Sequence, residues 1–247
     1  MGESPEDRED EPRASAGAVT GEPGCGPGCA CTVGNEFGEA SASRDLRSYR
    51  KSGPARTTRW LLEGLRGDGV EGLTVLDIGA GIGAVYLELL KDGAASALDV
   101  DGSPAYVTVA REEAARQDLV DRARYIVGDF VNLAPTIGPA DLVALDRVVC
   151  CYPDMQALVR QSVARARLRY GLVYPRDTWW IRAGSTVLNG LARLARQRVR
   201  AHVHPTAAVD AIVRDAGFVP RLQRQDLFWQ VAVYERAEAA AAVVGRA

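Results

Sequence analysis

The 247-residue sequence is balanced in charge, with 30 Lys and Arg residues against 32 Asp and Glu residues and a formal net charge of −2 at pH 7. This balance gives no electrostatic reason to expect a nucleic acid partner. Hydrophobic residues make up 47% of the chain, as in globular proteins, and no apolar run approaches the roughly 18 residues of a transmembrane segment.

The first 35 residues are rich in Gly, Pro, Ala, Glu and Asp and contain few large apolar side chains. Such a composition cannot bury enough surface to offset the entropy of ordering, so residues 1–35 are predicted to be a disordered tail. The opening residues lack the apolar core of a secretory signal peptide, and we therefore expect a cytoplasmic protein. Five cysteines, an odd number, argue against a disulfide framework.

A single folded domain is predicted over residues 36–240. It begins with two short helices broken at Ser52-Gly53-Pro54, which form an N-terminal helical cap. Strands and helices then alternate, and the predicted strands are "LTVLDIG", "AASALDVD", "ARYIVGD", "ADLVALDRV" and "YGLVYP". This alternation predicts a doubly wound α/β sheet of parallel strands with helices on both faces.

The later elements depart from this alternation. The helix after the fourth strand is predicted to begin at Asp154 and to carry apolar positions as far as Ala166. Residues 177–204 form an insertion after the fifth strand. The last two apolar runs, "FVPRLQRQ" and "DLFWQVAVYER", stand too close for a helical crossover, so they are predicted to pair as an antiparallel hairpin.

The glycine-rich turn "VLDIGAGIGA" follows the first strand, and two cofactors compete for it. With Ala84 in the last position, the turn satisfies the loose dinucleotide pattern, and an NAD(P)-dependent oxidoreductase is one interpretation. Asp77, however, stands two residues before Gly79, where a carboxylate would repel a pyrophosphate. S-adenosylmethionine carries an ammonium and a sulfonium and no phosphate, so the carboxylate of Asp77 would attract this cofactor instead of repelling it.

Two more strand ends carry acids that suit a nucleoside. Asp101 ends the second strand and is suited to accept hydrogen bonds from ribose hydroxyls, as NAD folds also use such a residue. In "GDF", Asp129 can accept from an adenine amino group while Phe130 supplies an apolar wall.

With these motifs the chain resembles the class I S-adenosylmethionine-dependent methyltransferases from about Thr58 to Arg236. The family's first motif is similar to "VLDIGAGIG", its acidic second motif to "ALDVDGSP" and its adenine motif to "VGDF". The resemblance implies a Rossmann-like, seven-stranded sheet whose seventh strand is antiparallel, with the cofactor over strands one to four. The run Cys-Tyr-Pro-Asp after strand four and the segment "YRKSGP" resemble the magnesium-protoporphyrin and quinone O-methyltransferase branches.

The predicted cofactor is S-adenosyl-L-methionine. Its predicted contacts are Asp77, Gly79, Ala80, Gly81, Gly83, Asp101, Gly102, Asp129, Phe130 and Asp146. The resemblance further implies that Tyr49 and Arg50 of the cap close over the methionine moiety.

Methyl transfer needs an aligned nucleophile, and a base only when the acceptor arrives protonated. Asp146 ends the fourth strand beside Arg147 and is predicted as a base or cofactor contact, the alternative being a carboxylate that only orders its loop. The histidines His202 and His204 are also candidate bases, because imidazole titrates near neutral pH, and the alternative is that both are polar connectors.

The cysteines suggest a competing, non-catalytic function. Cys25, Cys29 and Cys31 have the spacing C-x3-C-x-C, and Cys150 and Cys151 follow the fourth strand. Because this spacing does not match paired zinc knuckles, no metal is predicted, and the cysteines are interpreted as incidental thiols and small buried side chains. A metal- or redox-responsive module on the same fold is the alternative.

The insertion at 177–204 interleaves tryptophans and leucines with arginines, so as a helix it would be apolar on one face and basic on the other. A carboxylated aromatic acceptor or an anionic membrane surface would suit such a helix. The preferred interpretation is a lid packed on the core. The sequence thus predicts a methyltransferase that acts on a small-molecule partner, for example by O-methylation of a carboxylate or a hydroxyl.

Overall fold

The computed structural model describes residues 37–194 and 200–244, so the tail predicted for residues 1–35 lies outside the described part. A seven-stranded sheet runs through it. The strands are β1 (Thr74–Ile78), β2 (Ser96–Asp101), β3 (Ala123–Val127), β4 (Ala140–Asp146), β5 (Ala166–Pro175), β6 (Phe218–Gln225) and β7 (Trp229–Arg236).

The sheet has the strand order β3-β2-β1-β4-β5-β7-β6. Strands β1 to β5 pair in parallel, whereas β7 pairs antiparallel with both β5 and β6. The reversal follows from the connection between β6 and β7, because residues 226–228 are too few for a crossover. The predicted Rossmann-like sheet with an antiparallel C-terminal hairpin is confirmed.

Helices cover both faces of the sheet, as predicted. Val75 and Leu76 are neighbours on β1 but belong to two different buried clusters, and Leu142 and Val143 on β4 divide in the same way. The helices are α1 (Glu39–Ser52), α2 (Arg56–Arg66), α3 (Ala84–Lys91), α4 (Pro104–Arg116), α5 (Phe130–Leu133), α6 (Met155–Val163), α7 (Trp179–Leu194), α8 (Thr206–Asp215) and α9 (Ala237–Val244).

The N-terminal cap consists of α1 and α2, and the predicted break between them lies at Gly53. This residue has φ 69°, a left-handed conformation that favours glycine. Helix α2 buries Leu61 and Leu65 completely. It lies so close to β7 that a Cβ at Gly64 would stand 2.6 Å from Val233 Cγ2. The cap is therefore packed into the core.

One boundary differs from the sequence prediction. Helix α6 ends at Val163, and Ala166, predicted as its last apolar position, instead opens β5 by pairing with Ala140. An alanine fits both a helix and a buried strand, and here the pairing with β4 decides. The start of α6 agrees with the prediction, because Asp154 caps it by accepting a hydrogen bond from the Ala157 N–H at 3.0 Å.

The insertion forms α7, but it is not packed as predicted. None of its side chains from Trp179 to Leu194 is buried, so the prediction of a lid packed on the core is wrong for this helix. An amphipathic pattern shows that a helix has an apolar face and does not show where that face points. No helix in the described ranges has the length and hydropathy to cross a membrane.

Candidate functional site

A cavity of about 930 Å³ opens at the carboxyl edge of the sheet, the edge at which open α/β folds bind ligands. Its size lies within the range of small-molecule sites. Four strand ends contribute to its wall: Gly79, Ala80 and Gly81 after β1, Asp101 and Gly102 at the end of β2, Asp129 and Phe130 after β3, and Asp146 and Arg147 at the end of β4. Most of the predicted cofactor contacts thus meet at one place.

The glycine turn presents its backbone to this cavity. Gly79, Gly81 and Gly83 have φ values of 63°, 59° and 80°, which favour glycine over residues that carry a Cβ. At Gly79 a Cβ would also stand 2.5 Å from Cγ2 of Val148. The turn therefore lets a ligand approach the main chain, although Gly83 itself does not line the cavity.

Asp77 lies behind the cavity wall and does not line it. Its carboxyl is 1% exposed and accepts a hydrogen bond from the Tyr86 N–H at 3.2 Å through Oδ2. Its Oδ1 has no hydrogen-bond partner among the described residues. Burial first, and then the charge of Asp146, raise the pKa of Asp77 well above its usual value. The acid stands beneath the glycine turn, with one oxygen left unsatisfied.

Asp101 joins two of the turns that form the cavity. Its Oδ2 accepts from the Gly81 N–H at 2.9 Å, and its Oδ1 accepts from the Ser103 N–H at 2.7 Å. Burial raises its pKa, while these two hydrogen bonds act in the opposite direction. The carboxylate that was predicted to bind a ligand therefore also fixes the backbone around that ligand.

Asp129 and Phe130 lie just after the end of β3. Asp129 caps α5 by accepting from the Val131 N–H at 3.1 Å, and Phe130 is 4% exposed. The Tyr152 hydroxyl donates to Asp129, lying 3.0 Å from Oδ1 and 3.1 Å from Oδ2. Tyr152 also lines the cavity, but the sequence reasoning missed its role. Only its position within the Cys-Tyr-Pro-Asp run pointed to it.

Asp146 faces the cavity with both oxygens engaged. Its Oδ2 accepts from Thr58 Oγ1 at 2.5 Å, and its Oδ1 lies 3.1 Å from Arg147 Nε. Thr58 comes from α2 and is 1% exposed, and the sequence reasoning missed it. Arg147 is a non-glycine residue with φ 63°, a conformation that costs roughly 1–2 kcal/mol. The hydrogen bond from its N–H to the Val173 carbonyl, at 2.9 Å, holds that backbone in place.

The two histidines differ in their relation to the cavity. His202 lines it, held by a hydrogen bond from its backbone N–H to the Cys150 carbonyl at 2.7 Å. His204 does not line it; its Nε2 lies 3.0 Å from the Tyr152 carbonyl oxygen, and burial lowers its pKa. The imidazoles stack with centroids 5.7 Å apart. Of the two histidines predicted as bases, only His202 lines the cavity.

Of the two cap residues that the family resemblance implies, Tyr49 and Arg50, only Tyr49 lines the cavity. Tyr49 lines the cavity and donates from its hydroxyl to Glu88 Oε1 at 2.6 Å. Arg50 does not line it, and its Nε donates to Oε2 of Glu113 on α4 at 2.8 Å. Hydrogen bonds from Arg116 and other neighbours lower the pKa of Glu113 to about 2. In this structure the ion pair with Glu113 holds Arg50 away from the cavity, and its contact with the cofactor stays a prediction.

Two cysteines line the cavity as well. Cys150 is 8% exposed, and its Sγ lies 3.7 Å from that of Cys151. Cys25, Cys29 and Cys31 fall outside the described residues.

The central part of the chain is similar to known methyltransferases. Residues 75–167 match the family model of a methyltransferase domain. The ribosomal protein L11 methyltransferase of Enterobacter sp. (strain 638) is 37% identical over 93 residues, which is 37% of this chain and 30% of that protein. Its counterpart from Pectobacterium carotovorum subsp. carotovorum (strain PC1) is 33% identical over 93 residues, 38% of this chain and 29% of that protein. The chain thus aligns with less than a third of the length of these relatives.

Solved structures match a larger part of the chain. The magnesium protoporphyrin IX methyltransferase of Synechocystis PCC 6803, with bound SAH, has a TM-score of 0.64 and 22% identity and covers 83% of this chain and 99% of its own. The geranyl diphosphate C-methyltransferase of Streptomyces coelicolor A3(2) has a TM-score of 0.56 and 13% identity, with coverages of 72% and 76%. At these identities the likeness concerns the fold.

Proposed function

We propose that the chain, which belongs by its central domain and its fold to the class I S-adenosylmethionine-dependent methyltransferases, transfers a methyl group from that cofactor to a small molecule. The observation that carries the proposal is the convergence of a glycine turn and three strand-end carboxylates, Asp101, Asp129 and Asp146, on one cavity. The cavity's volume of about 930 Å³ supports a small-molecule acceptor.

The residues present fit the cofactor. All three of Asp101, Asp129 and Phe130 line the cavity. We assign Asp101 to the ribose hydroxyls, Asp129 to the adenine amino group and Phe130 to the apolar wall beside the adenine. The unsatisfied Oδ1 of Asp77 lies under the turn. A cation bound over the turn would favour the ionised form of this carboxyl, whereas a pyrophosphate would oppose it. The ionised form of the buried acid is therefore the form that would favour a sulfonium cofactor over a dinucleotide.

The cofactor supplies a methyl carbon made electrophilic by its sulfonium, and the chain has to align an acceptor oxygen and manage its proton. Asp146 accepts the proton of a hydroxyl acceptor, and Thr58 holds this carboxylate in place through its hydrogen bond. A carboxylate acceptor needs no base, and in that case the guanidinium of Arg147 orients it. His202 is the second candidate base at the cavity.

Calorimetry tests the cofactor site directly. S-adenosylmethionine and its demethylated product should bind with micromolar affinity, and Asp101→Asn should weaken binding about tenfold or more because it removes a charged acceptor. The matched control is Asp141→Asn, since Asp141 holds Thr74 at the opposite edge of the sheet through a 2.7 Å hydrogen bond. Unchanged affinity in Asp101→Asn would reject the assignment.

The same preparation tests the two alternative functions. Preferential binding of NAD would favour the oxidoreductase, and stoichiometric zinc in protein purified without chelators would favour the metal-responsive module.

The role of Asp146 separates the two acceptor classes. Once screening for formation of the demethylated cofactor has found an acceptor, Asp146→Asn should lower kcat about 100-fold or more if the acceptor is a hydroxyl that needs a base. For a carboxylate acceptor the loss should be small. Thr58→Val should weaken the same step to a lesser degree, because it leaves Asp146 in place without its hydroxyl donor.

A further inference from the structure

The exposed apolar side chains of the protein are concentrated in one place. Within residues 37–194 and 200–244, eight large apolar side chains are strongly exposed, and seven of them lie on α7 or in the turn between β6 and β7. They are Trp179, Val187, Leu188, Leu191, Leu194, Leu227 and Phe228. The eighth, Val127, is on β3 at the other end of the sheet. Scattered exposed leucines need no explanation, but a contiguous set does.

The helix and the turn form one surface. The rings of Trp180 and Phe228 meet edge to face with centroids 5.5 Å apart, and the Arg176 N–H donates to the Phe228 carbonyl at 2.8 Å. On α7, Val187, Leu188 and Leu191 follow helical spacing and form a stripe. We call this stripe together with Leu227 and Phe228 the apolar surface.

Helix α7 leaves its apolar stripe exposed. Its half-buried positions are Trp180, Ile181, Ser185, Asn189 and Ala192. The Asn189 side chain exchanges hydrogen bonds with the backbone of Ala201, at 2.8 Å and 2.9 Å. Leu188 and Leu191 are 62% and 57% exposed on the outer side. The helix thus has a mixed polar and apolar side towards the protein and leaves the stripe of Val187, Leu188 and Leu191 exposed.

The sequence around α7 is rich in arginine, although Asp177 pairs with Arg182, and Asp226 of the β6–β7 turn pairs with Arg56. Residues 178–209 contain five arginines, Arg182, Arg193, Arg196, Arg198 and Arg200, and no Asp or Glu, in a chain whose net charge is −2. An apolar helix face flanked by arginines matches a surface that offers both hydrocarbon and anions. Aromatic side chains such as Trp179 and Phe228 favour the boundary between these two environments.

Other occupants fit less well. The acidic segment 1–36 complements the arginines, but its large apolar residues are only Met1, Val19 and Val33, too few to cover the stripe. A second copy docked through the same surface would bring two arginine-rich segments against each other. An anionic bilayer satisfies both the apolar stripe and the charge.

We propose that α7 and the β6–β7 turn dock this protein on the surface of an anionic phospholipid bilayer. The proposal goes beyond methyl transfer and does not depend on it. Trp229, which directly follows Phe228, lines the cavity, as do Arg200 and His202 beyond α7. Docking therefore brings the cavity next to the lipid surface, where a lipophilic acceptor would concentrate.

Vesicle flotation with the full chain tests the docking. The protein should float with vesicles in which phosphatidylglycerol makes up part of a phosphatidylcholine bilayer, and remain unbound with phosphatidylcholine alone. The double variant Leu188→Ser, Leu191→Ser should abolish flotation, and Arg193→Gln should weaken binding about fivefold. The control Val127→Ser, which also removes an exposed apolar side chain, should float like the unmodified protein.

Because all these side chains are exposed, the variants should keep the unmodified melting temperature and cofactor affinity, which separates a failure of docking from a failure of the proposed function. No flotation with anionic vesicles, or equal flotation of the double variant, would overturn the proposal. So would a dimer, seen by sedimentation velocity without vesicles, that the double variant makes monomeric, because a second copy would then cover the apolar surface.

Discussion

Helices α2 and α7 have similar sequence patterns and opposite positions in the fold. Both carry leucines at helical spacing together with arginines and one or two glycines. Helix α2 buries its leucines against the sheet and delivers Thr58 to Asp146 at the cavity, whereas α7 buries nothing among its described side chains. The difference shows that an apolar stripe predicts an amphipathic helix. Only the tertiary structure shows which surface, if any, packs against that stripe.

The largest expected contrast comes from leucine truncation in the two helices. Leu65→Ala in α2 removes a side chain that is fully buried, and should lower the free energy of unfolding by about 3 kcal/mol. Leu191→Ala in α7 removes one that is 57% exposed, and should change it by less than about 0.5 kcal/mol. Urea denaturation of both variants measures the two values. Equal losses would show that α7 is packed in solution.

The glycines of the two helices give smaller individual changes in stability, of opposite sign in the two helices. A Cβ at Gly64 would meet Val233 Cγ2 at 2.6 Å and Cβ at 2.8 Å, so Gly64→Ala should destabilise by about 2 kcal/mol through overpacking. Gly190 on α7 has nothing within 4 Å of such a Cβ, and Gly190→Ala should stabilise by about 0.5–1 kcal/mol through helix propensity. Thermal and urea unfolding check both signs, and a destabilising Gly190→Ala would contradict the exposed position of α7.

The sheet also contains a fully buried acid, and the exposed helix α7 has no equivalent residue. Asp99 on β2 is 0% exposed, and burial, followed by the charges of Asp77 and Asp101, raises its pKa from 3.8 to about 9. The unfolded chain therefore releases this proton near pH 4 while the folded chain retains it. Between these values the unfolded state binds fewer protons, so the free energy of unfolding should fall as pH rises.

Asp99→Asn should reduce this fall by about 1 kcal/mol per pH unit between pH 5 and pH 8, and it should make the protein more stable than the unmodified chain at the upper end. Asp77 keeps a dependence of the same sign, because its pKa is raised too. Arg193→Gln on the exposed helix is the control and should leave the slope unchanged. An identical slope in Asp99→Asn and the unmodified chain would show that Asp99 is ionised in the fold.

The local parts of the fold and site could be predicted from the sequence. Glycines before a helix, an acid at the end of β2 and two runs too close for a crossover each act over a few residues, and the structure contains all three features. The contacts that the sequence could not supply join distant segments. Thr58 meets Asp146 across 88 positions, and Arg50 meets Glu113 across 63. The first pair depends on how α2 packs beside β4 and the second on how α1 packs against α4, which no local pattern encodes.

The crystal structure of the protein with S-adenosylhomocysteine tests the central claim most directly. We expect the ribose hydroxyls within hydrogen-bond distance of the Asp101 carboxylate, the adenine beside Phe130 and the sulfur facing Asp146. Density for the ligand outside this cavity, or a nucleotide diphosphate seated on the glycine turn in its place, would contradict the account.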